Sequence, residues 1–200
     1  MIRLYCATGN PGKLREFRQA AQGRKGIEIE LLPGFDRLPP CEETGSSFEE
    51  NAILKARHYG PYASGLLFAD DSGLEVDALG GAPGIYSARF AGPNATDEEN
   101  NRLLLERLRG ITNRNARFVC AIALVEGEQV RGVFQGVVAG RIAKEPRGTA
   151  GFGYDPLFDH PPFGCTFGEA TPEQKFSVSH RGQALRALLD TWLGSDKFSS

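Results

Sequence analysis

Apolar residues recur along this chain in two periods, every third or fourth residue in some stretches and in short continuous runs in others. Their alternation predicts an α/β protein. Met1 to Ala7 reads as a strand, followed by the loop Thr8-Gly9-Asn10-Pro11-Gly12-Lys13 and a helix with Leu14, Phe17 and Ala21 at helical spacing. A second strand near Glu28 to Leu32 leads into Pro-rich coil, and Ser47 with Glu50 forms a capping box that predicts the next helix start. Phe48, Ala52, Ala56 and Tyr59 mark that helix's buried side. The run Leu66 to Ala69 predicts a short buried strand, broken at Gly73. Thr96 and Glu99 form another capping box, for a helix bearing Leu104, Leu105 and Leu108 and closed by Gly110. Arg117 to Val125 and Gln129 to Ile142 predict two long strands joined as a hairpin through Glu126-Gly127-Glu128. Glu169 to Phe176 reads as a short helix. Ser179-His180-Arg181 opens the last one, with Leu185, Leu188, Leu189 and Trp192 as its core stripe.

Two βα units combined with a hairpin predict a mixed sheet with flanking helices, and a ligand site in the cleft between a βα lobe and a hairpin lobe. The 200 residues, 40% hydrophobic, suit a single domain over 1–200 built as two lobes. A net charge of -2 provides no electrostatic footprint for nucleic acid or an anionic membrane, so an anionic ligand has to be held by local groups. With no signal peptide and no apolar run of transmembrane length, the expected location is cytoplasmic. Cys6, Cys41, Cys120 and Cys165 are far apart, and the histidines are His58, His160 and His180. That pattern argues against a zinc site or a disulfide framework and predicts reduced, packed thiols.

Candidate chemistry centres on Asp70-Asp71-Ser72-Gly73. Adjacent residues of a strand point to opposite faces, so the two carboxylates cannot share one apolar core, and at least one is expected to face a solvent-filled cleft. Paired acids at the carboxyl end of a strand suit a hard cation such as magnesium, although Asp and Ser would serve a capped turn equally well. The loop Thr8 to Lys13 joins a strand to a helix N-terminus, where free amides and the helix dipole attract phosphate and Lys13 adds a full charge. An ordinary βα connection would use the same Gly and Pro. Glu42 and Glu43 lie in the loop before a helix, and Lys55 reads by default as a surface lysine. Ala78 to Gly92 is too Gly-rich for a regular element, yet Ile85, Tyr86 and Phe90 argue against disorder. In Gly148 to Pro156, glycines flank Phe152, Tyr154 and Asp155, which suits a base stacked on a ring and also suits a tight loop. His180 and Arg181 sit at a helix start, where cations oppose the dipole unless an anion or an acceptor-rich base is held there.

Taken together, Thr8-Gly9-Asn10-x-x-Lys13, Glu42 to Gly45 with Glu50-Asn51-Ala52 and Lys55-Ala56, Asp70 to Leu74, Gly80 to Ser87, Gly151 to Pro156 and Lys175 to Arg181 form an ordered set. The set resembles the non-canonical purine nucleoside triphosphate pyrophosphatases, the family that includes the inosine triphosphatases, and covers the chain from Thr8 to about Leu189. The resemblance implies a two-lobed α/β fold with a long mixed central sheet, a homodimer, and hydrolysis of ITP, dITP and XTP to the monophosphate and pyrophosphate. It implies that Thr8, Gly9, Asn10, Pro11, Gly12 and Lys13 bind the triphosphate, that Glu43 and Asp71 hold Mg2+, and that Ser72 and Lys55 contact substrate. It implies Asp71 as the proton acceptor, with Asp70 and Lys13 also in the catalytic set, and leaves open how the two acids divide metal binding from water activation. Phe152, Gly153, Tyr154, Asp155, Lys175, His180 and Arg181 are the implied base pocket. Phe176 departs from the pattern, where a small polar residue is expected. The residues taken alone would also fit another magnesium-dependent nucleotide phosphatase or a nucleotide-binding regulator without turnover.

Overall fold

The computed structural model describes residues 2–193, so Met1 lies outside the described residues. Seven strands form one sheet in the order β2-β1-β3-β4-β5-β6-β7. They are β1 (Ile2–Cys6), β2 (Ile27–Leu31), β3 (Leu66–Val76), β4 (Asn115–Glu126), β5 (Gln129–Ile142), β6 (Phe158–His160) and β7 (Cys165–Thr166). The helices are α1 (Pro11–Ala21), α2 (Phe48–Tyr59), α3 (Asp97–Arg107), α4 (Pro172–Val178) and α5 (His180–Leu193). β1 runs parallel to β2 and β3, whereas β5-β6 and β6-β7 are antiparallel, so the sheet is mixed, as expected. By contacts the chain divides into two compact units. The first takes the chain up to Asp71, then Cys120–Gly136, then His180 onward; the second takes Ser72–Val119 and Val137–Ser179.

In the first unit, α1 and α5 pack together, and the Phe17 ring meets Phe68 edge-on at 5.1 Å between centroids. The expected stripes are buried, Phe48, Ala52, Ala56 and Tyr59 on α2 and Leu185, Leu188 and Leu189 on α5, except that Trp192 is only half-buried. In the second unit Leu74, Val76, Leu104, Leu108, Phe118 and Phe158 form the core. Cys6 and Cys120 are buried free thiols, and Cys41 and Cys165 are half-buried free thiols. Among the described residues no helix is long and apolar enough to cross a membrane.

Two local expectations are corrected. β3 does not break at Gly73 but runs on to Val76. Gly costs a strand only about 0.5–1 kcal/mol, less than burying Leu74 and Val76 beyond it returns. At α2 only half of the capping box forms. Ser47 accepts from the Glu50 N–H at 3.1 Å, but the Glu50 carboxylate turns to Ser46, whose N–H and hydroxyl both donate to it at 2.7 Å. Two donors on one residue outcompete the single amide of Ser47. The full box predicted at Thr96 and Glu99 is present. α4 lies slightly later than expected and has its own box, Thr171 with Gln174, which the sequence pattern had not suggested.

Candidate active site

The extended β3 decides where the acids lie. β1 ends its pairing at Cys6 opposite Phe68, and the Ala7 N–H donates to the Phe68 carbonyl just beyond. Asp70 and Asp71 therefore stand past the carboxyl end of β1 while still inside β3, a correction to their expected place at the end of their own strand. That is the end of a parallel pair at which α/β proteins place ligands.

Helix α1 starts at Pro11, so the last part of the expected loop is its first turn. Asn10 caps it, accepting from the N–H of Gly12 at 2.8 Å and of Lys13 at 3.2 Å, while Thr8 Oγ1 accepts from the Asn10 N–H at 3.1 Å. Pro11 has no N–H to offer. The expectation of freely available amides is thus corrected: the Asn10 side chain holds those of Gly12 and Lys13, and the charge at this end is that of Lys13.

Both aspartates are buried, 3% and 6% exposed, against the expectation that one faces solvent. What permits this is a separate lysine for each. Lys13 Nζ donates to Asp70 Oδ2 at 2.8 Å, and Lys55 Nζ donates to Asp71 Oδ1 at 2.9 Å. Asn51 Nδ2 also donates to Asp71, at 3.3 Å. Burial works against the charge on Asp70, but Lys13, Arg181 and Lys55 outweigh it and hold the carboxyl below the usual carboxylate range. At Asp71 burial wins over Lys55, and the carboxyl is pushed up.

Lys55 is not a surface lysine. Its ammonium also donates to Glu43 Oε2 at 3.2 Å, so Glu43 and Asp71 converge on one cation. Burial disfavours that ammonium, yet Asp71, Asp70 and Glu43 keep it charged. Among the described residues no group of three or more His, Cys, Asp or Glu side chains gathers to hold a metal. Two carboxylates meeting at a positive charge nevertheless fit magnesium, which takes one or two carboxylates and fills its other positions with water and phosphate oxygens.

His180 and Arg181 open α5 in the same unit and are both buried, which removes the reading that they simply face solvent. Arg181 donates through Nη1 to Glu16 Oε2 at 3.1 Å. Burial disfavours the guanidinium charge, but Glu16 and Asp70 outweigh it. Glu16 is a residue the sequence reading missed, and Asn51 stood in its motif set without an assigned role. Glu16 stands one turn after Lys13 beside the buried Phe17, and an acid at a core position is a signal in itself.

In the second unit, Asp155 is buried and accepts from the Phe152 N–H at 2.9 Å and from Lys175 Nζ at 2.5 Å. The Lys175 ammonium lies 5.0 Å from the centre of the Phe152 ring, within cation–π range. Tyr154 differs from its neighbour: its ring belongs to the core, and its hydroxyl donates to the Ser87 carbonyl at 2.8 Å. Burial raises the Tyr154 hydroxyl's pKa. Phe152 is therefore the half-exposed aromatic of this loop. Ser72 follows Asp71 in β3. The structure thus gathers Thr8 to Lys13, Glu43, Lys55, Asp70, Asp71, His180 and Arg181 in one unit, and Ser72, Phe152 to Asp155 and Lys175 in the other.

The chain is thus a mixed α/β protein with two lysine–carboxylate pairs, their aspartates buried, beyond the carboxyl end of β1. The sequence model of the Ham1 family matches residues 4–191, and the chain belongs to that family. It is 51% identical over 187 residues to a protein of Exiguobacterium sp. named dITP/XTP pyrophosphatase, covering 94% of this chain and 95% of the other. Its fold matches the structure of a HAM1 protein from Coxiella burnetii with a TM-score of 0.87 at 42% identity, over 98% of this chain and 100% of that one. A crystal structure of a nucleoside-triphosphatase / dITP/XTP pyrophosphatase from Mycobacterium abscessus matches with a TM-score of 0.72 at 43% identity, over 96% and 100% of the two chains.

Proposed function

We propose that this chain is a nucleoside triphosphate pyrophosphatase. It hydrolyses the non-canonical purine nucleotides ITP, dITP and XTP to the monophosphate and pyrophosphate, removing deaminated purines from the nucleotide pool. Relatives bearing the name dITP/XTP pyrophosphatase match it nearly end to end. The structural observation that carries the reading is the convergence of Glu43 and Asp71 on one cation, with Asp70 and Lys13 paired beside them.

Pyrophosphate release requires a water to attack the α-phosphorus and a place for the leaving group's charge. Asp71, the proton acceptor by the family resemblance, stands beside Lys55 and Glu43 and takes the water's proton. Asp70, kept ionised by Lys13, is the fixed charge beside it. Glu43 and Asp71 would hold Mg2+, which when bound neutralises charge on the phosphate oxygens. The first turn of α1 with Lys13 neutralises the pyrophosphate, and Thr8 to Gly12 line that end. Lys55, held by Glu43 and Asp71, and the Ser72 hydroxyl are further substrate contacts.

For the base, Phe152 supplies the stacking face, with Gly153, Tyr154 and Asp155 shaping its loop. Lys175, His180 and Arg181 supply donors. A donor pocket accepts the 6-oxygen of hypoxanthine and xanthine and leaves its hydrogen bonds unmade against the 6-amine of ATP, a loss that reaches roughly 10⁴-fold in discrimination. The family resemblance supports a homodimer as the working unit, and the nucleotide substrate supports a cytoplasmic location.

The test is pyrophosphate release with magnesium on ITP, XTP, GTP, ATP and dTTP side by side. Release from ITP and XTP in preference to ATP and dTTP is expected. Inorganic phosphate as the product, or equal rates on ATP, would overturn the substrate assignment.

A further inference from the structure

The loop that carries Phe152 is tied at its base by backbone bonds, Arg147 N–H to the Pro156 carbonyl at 2.8 Å and Ala150 N–H to the Gly168 carbonyl at 2.9 Å, whereas a Cβ added at Gly153 would meet nothing within 4 Å. Gly148, Gly151 and Gly153 have φ values of +77°, +78° and +62°, which suit glycine and leave no side chain for anchorage. On one side the stretch Gly148 to Gly153 borders a cavity of about 1340 Å³ rather than packed core. Fixing backbone costs about 1–2 kcal/mol of entropy per residue, so the tip at Gly153 needs a hold beyond the bonds at the loop's base.

Two side chains of α3 do so. Asp97 and Asn101 stand four residues apart and hence on one face of the helix. Asp97 Oδ2 accepts from the Gly153 N–H at 2.6 Å, and Asn101 Nδ2 donates to the Gly153 carbonyl at 3.0 Å. Both polar groups of a single glycine are thus gripped by one helix. One residue earlier, Asp155 takes the Phe152 N–H. Between these grips the Phe152 ring is set against the Lys175 ammonium. Asn101 is buried, 8% exposed, so its amide is committed to this contact rather than shared with water.

We infer that Asp97 and Asn101 are positioning residues for the substrate base, acting through the Gly153 peptide to hold the Phe152 ring where the base stacks. The inference rests on the proposed role of Phe152 as that stacking face. Stacking is made equally in the ground state and the transition state, so loss of the clasp weakens binding and raises KM while leaving kcat nearly intact.

The test measures KM and kcat for pyrophosphate release from ITP in Asn101→Ala, Asp97→Ala, Asp97→Asn, Phe152→Ala and the double variant Asn101→Ala/Phe152→Ala, with the thermal midpoint of each. Loss of either grip is expected to raise KM about fivefold, with kcat held within about twofold. Asp97→Asn is expected to restore KM, because its amide oxygen still accepts from Gly153. In the Phe152→Ala background, Asn101→Ala should add nothing further. An unchanged KM in Asn101→Ala and Asp97→Ala, with KM raised in Phe152→Ala, overturns the clasp and leaves the stacking role standing. Full additivity in the double variant, or no recovery in Asp97→Asn, also overturns it. An unchanged KM in Phe152→Ala removes the stacking role and the clasp's purpose with it. Asp97 belongs to the first turn of α3, so if Asp97→Ala fails to fold, Asn101→Ala and Asp97→Asn still decide the outcome.

Discussion

Asp70 and Asp71 are neighbours in the chain but answer to different lysines, Lys13 at 2.8 Å and Lys55 at 2.9 Å, and their carboxyl pKa values are pushed in opposite directions. Strand alternation is the cause. Successive side chains leave opposite faces of β3, so each meets a different helix, Asp70 meeting α1 and Asp71 meeting α2. Two identical side chains thereby acquire different tasks.

Asp71→Asn should abolish turnover without weakening the fold. A carboxyl raised in the folded state leaves stability intact below the unfolded pKa and erodes it as pH rises through the folded pKa, so at neutral pH the native protein bears the full cost. Asparagine removes the charge and that cost but also takes from Lys55 one of its two carboxylate partners, leaving Glu43 to hold the ammonium, so the two changes offset each other. Pyrophosphate release is expected to fall about 10²–10⁴-fold. The thermal midpoint at neutral pH should stay level or rise. A retained rate would remove Asp71 from the chemistry, and a lowered midpoint would make it a structural residue.

Asp70→Asn should do the reverse to stability. Its lowered pKa contributes stability that is complete above the unfolded pKa and is lost as pH falls through the folded one. The variant leaves Lys13 without its partner, and breaking such a pair costs about 3–5 kcal/mol, here toward the lower end because the Lys13 side chain is 17% exposed. Urea unfolding at about pH 7 and about pH 3 checks the sign: the gap between variant and native protein should narrow at the lower pH. A gap independent of pH would mean that the Asp70 charge is not its source.

Gly136→Ala tests how closely β5 approaches α5. A Cβ at Gly136 would run into the backbone carbonyl of His180 and stand 2.6 Å from the Ala184 nitrogen. Neither backbone atom can turn aside, so the start of α5, which carries His180 and Arg181, has to shift. A loss of about 1–3 kcal/mol in urea unfolding is expected, with KM for ITP raised more than kcat is lowered. Stability equal to that of the native protein would show that the strand and helix have room to spare.

Much of this was legible from local patterns. The helical stripes of α2 and α5, the capping box at Thr96, the tight link between β4 and β5, expected over Glu126 to Glu128 and found over Gly127 and Glu128, and the mixed sheet all follow from periodicity and turn chemistry, which act over a few residues. The ordered motifs from Thr8 to Arg181 identified the family before any coordinates. Local rules misled where a residue's neighbour was distant in sequence. Gly73 read as a strand break because its burial with Leu74 and Val76 could not be seen, and Lys55 read as solvated because Glu43 and Asp71 stand 12 and 16 residues away.

The sequence by itself determined which chemical groups are present and the order in which strands and helices carry them, since hydrophobic period, caps and turn residues are properties of neighbouring positions. Tertiary structure alone decided what those groups became. It gave each aspartate its own lysine, set Arg181 on Glu16, withdrew Tyr154 into the core and placed Asp97 and Asn101 on Gly153. Burial and a charged partner govern how an ionisable side chain behaves, and both depend on which distant segments fold against it.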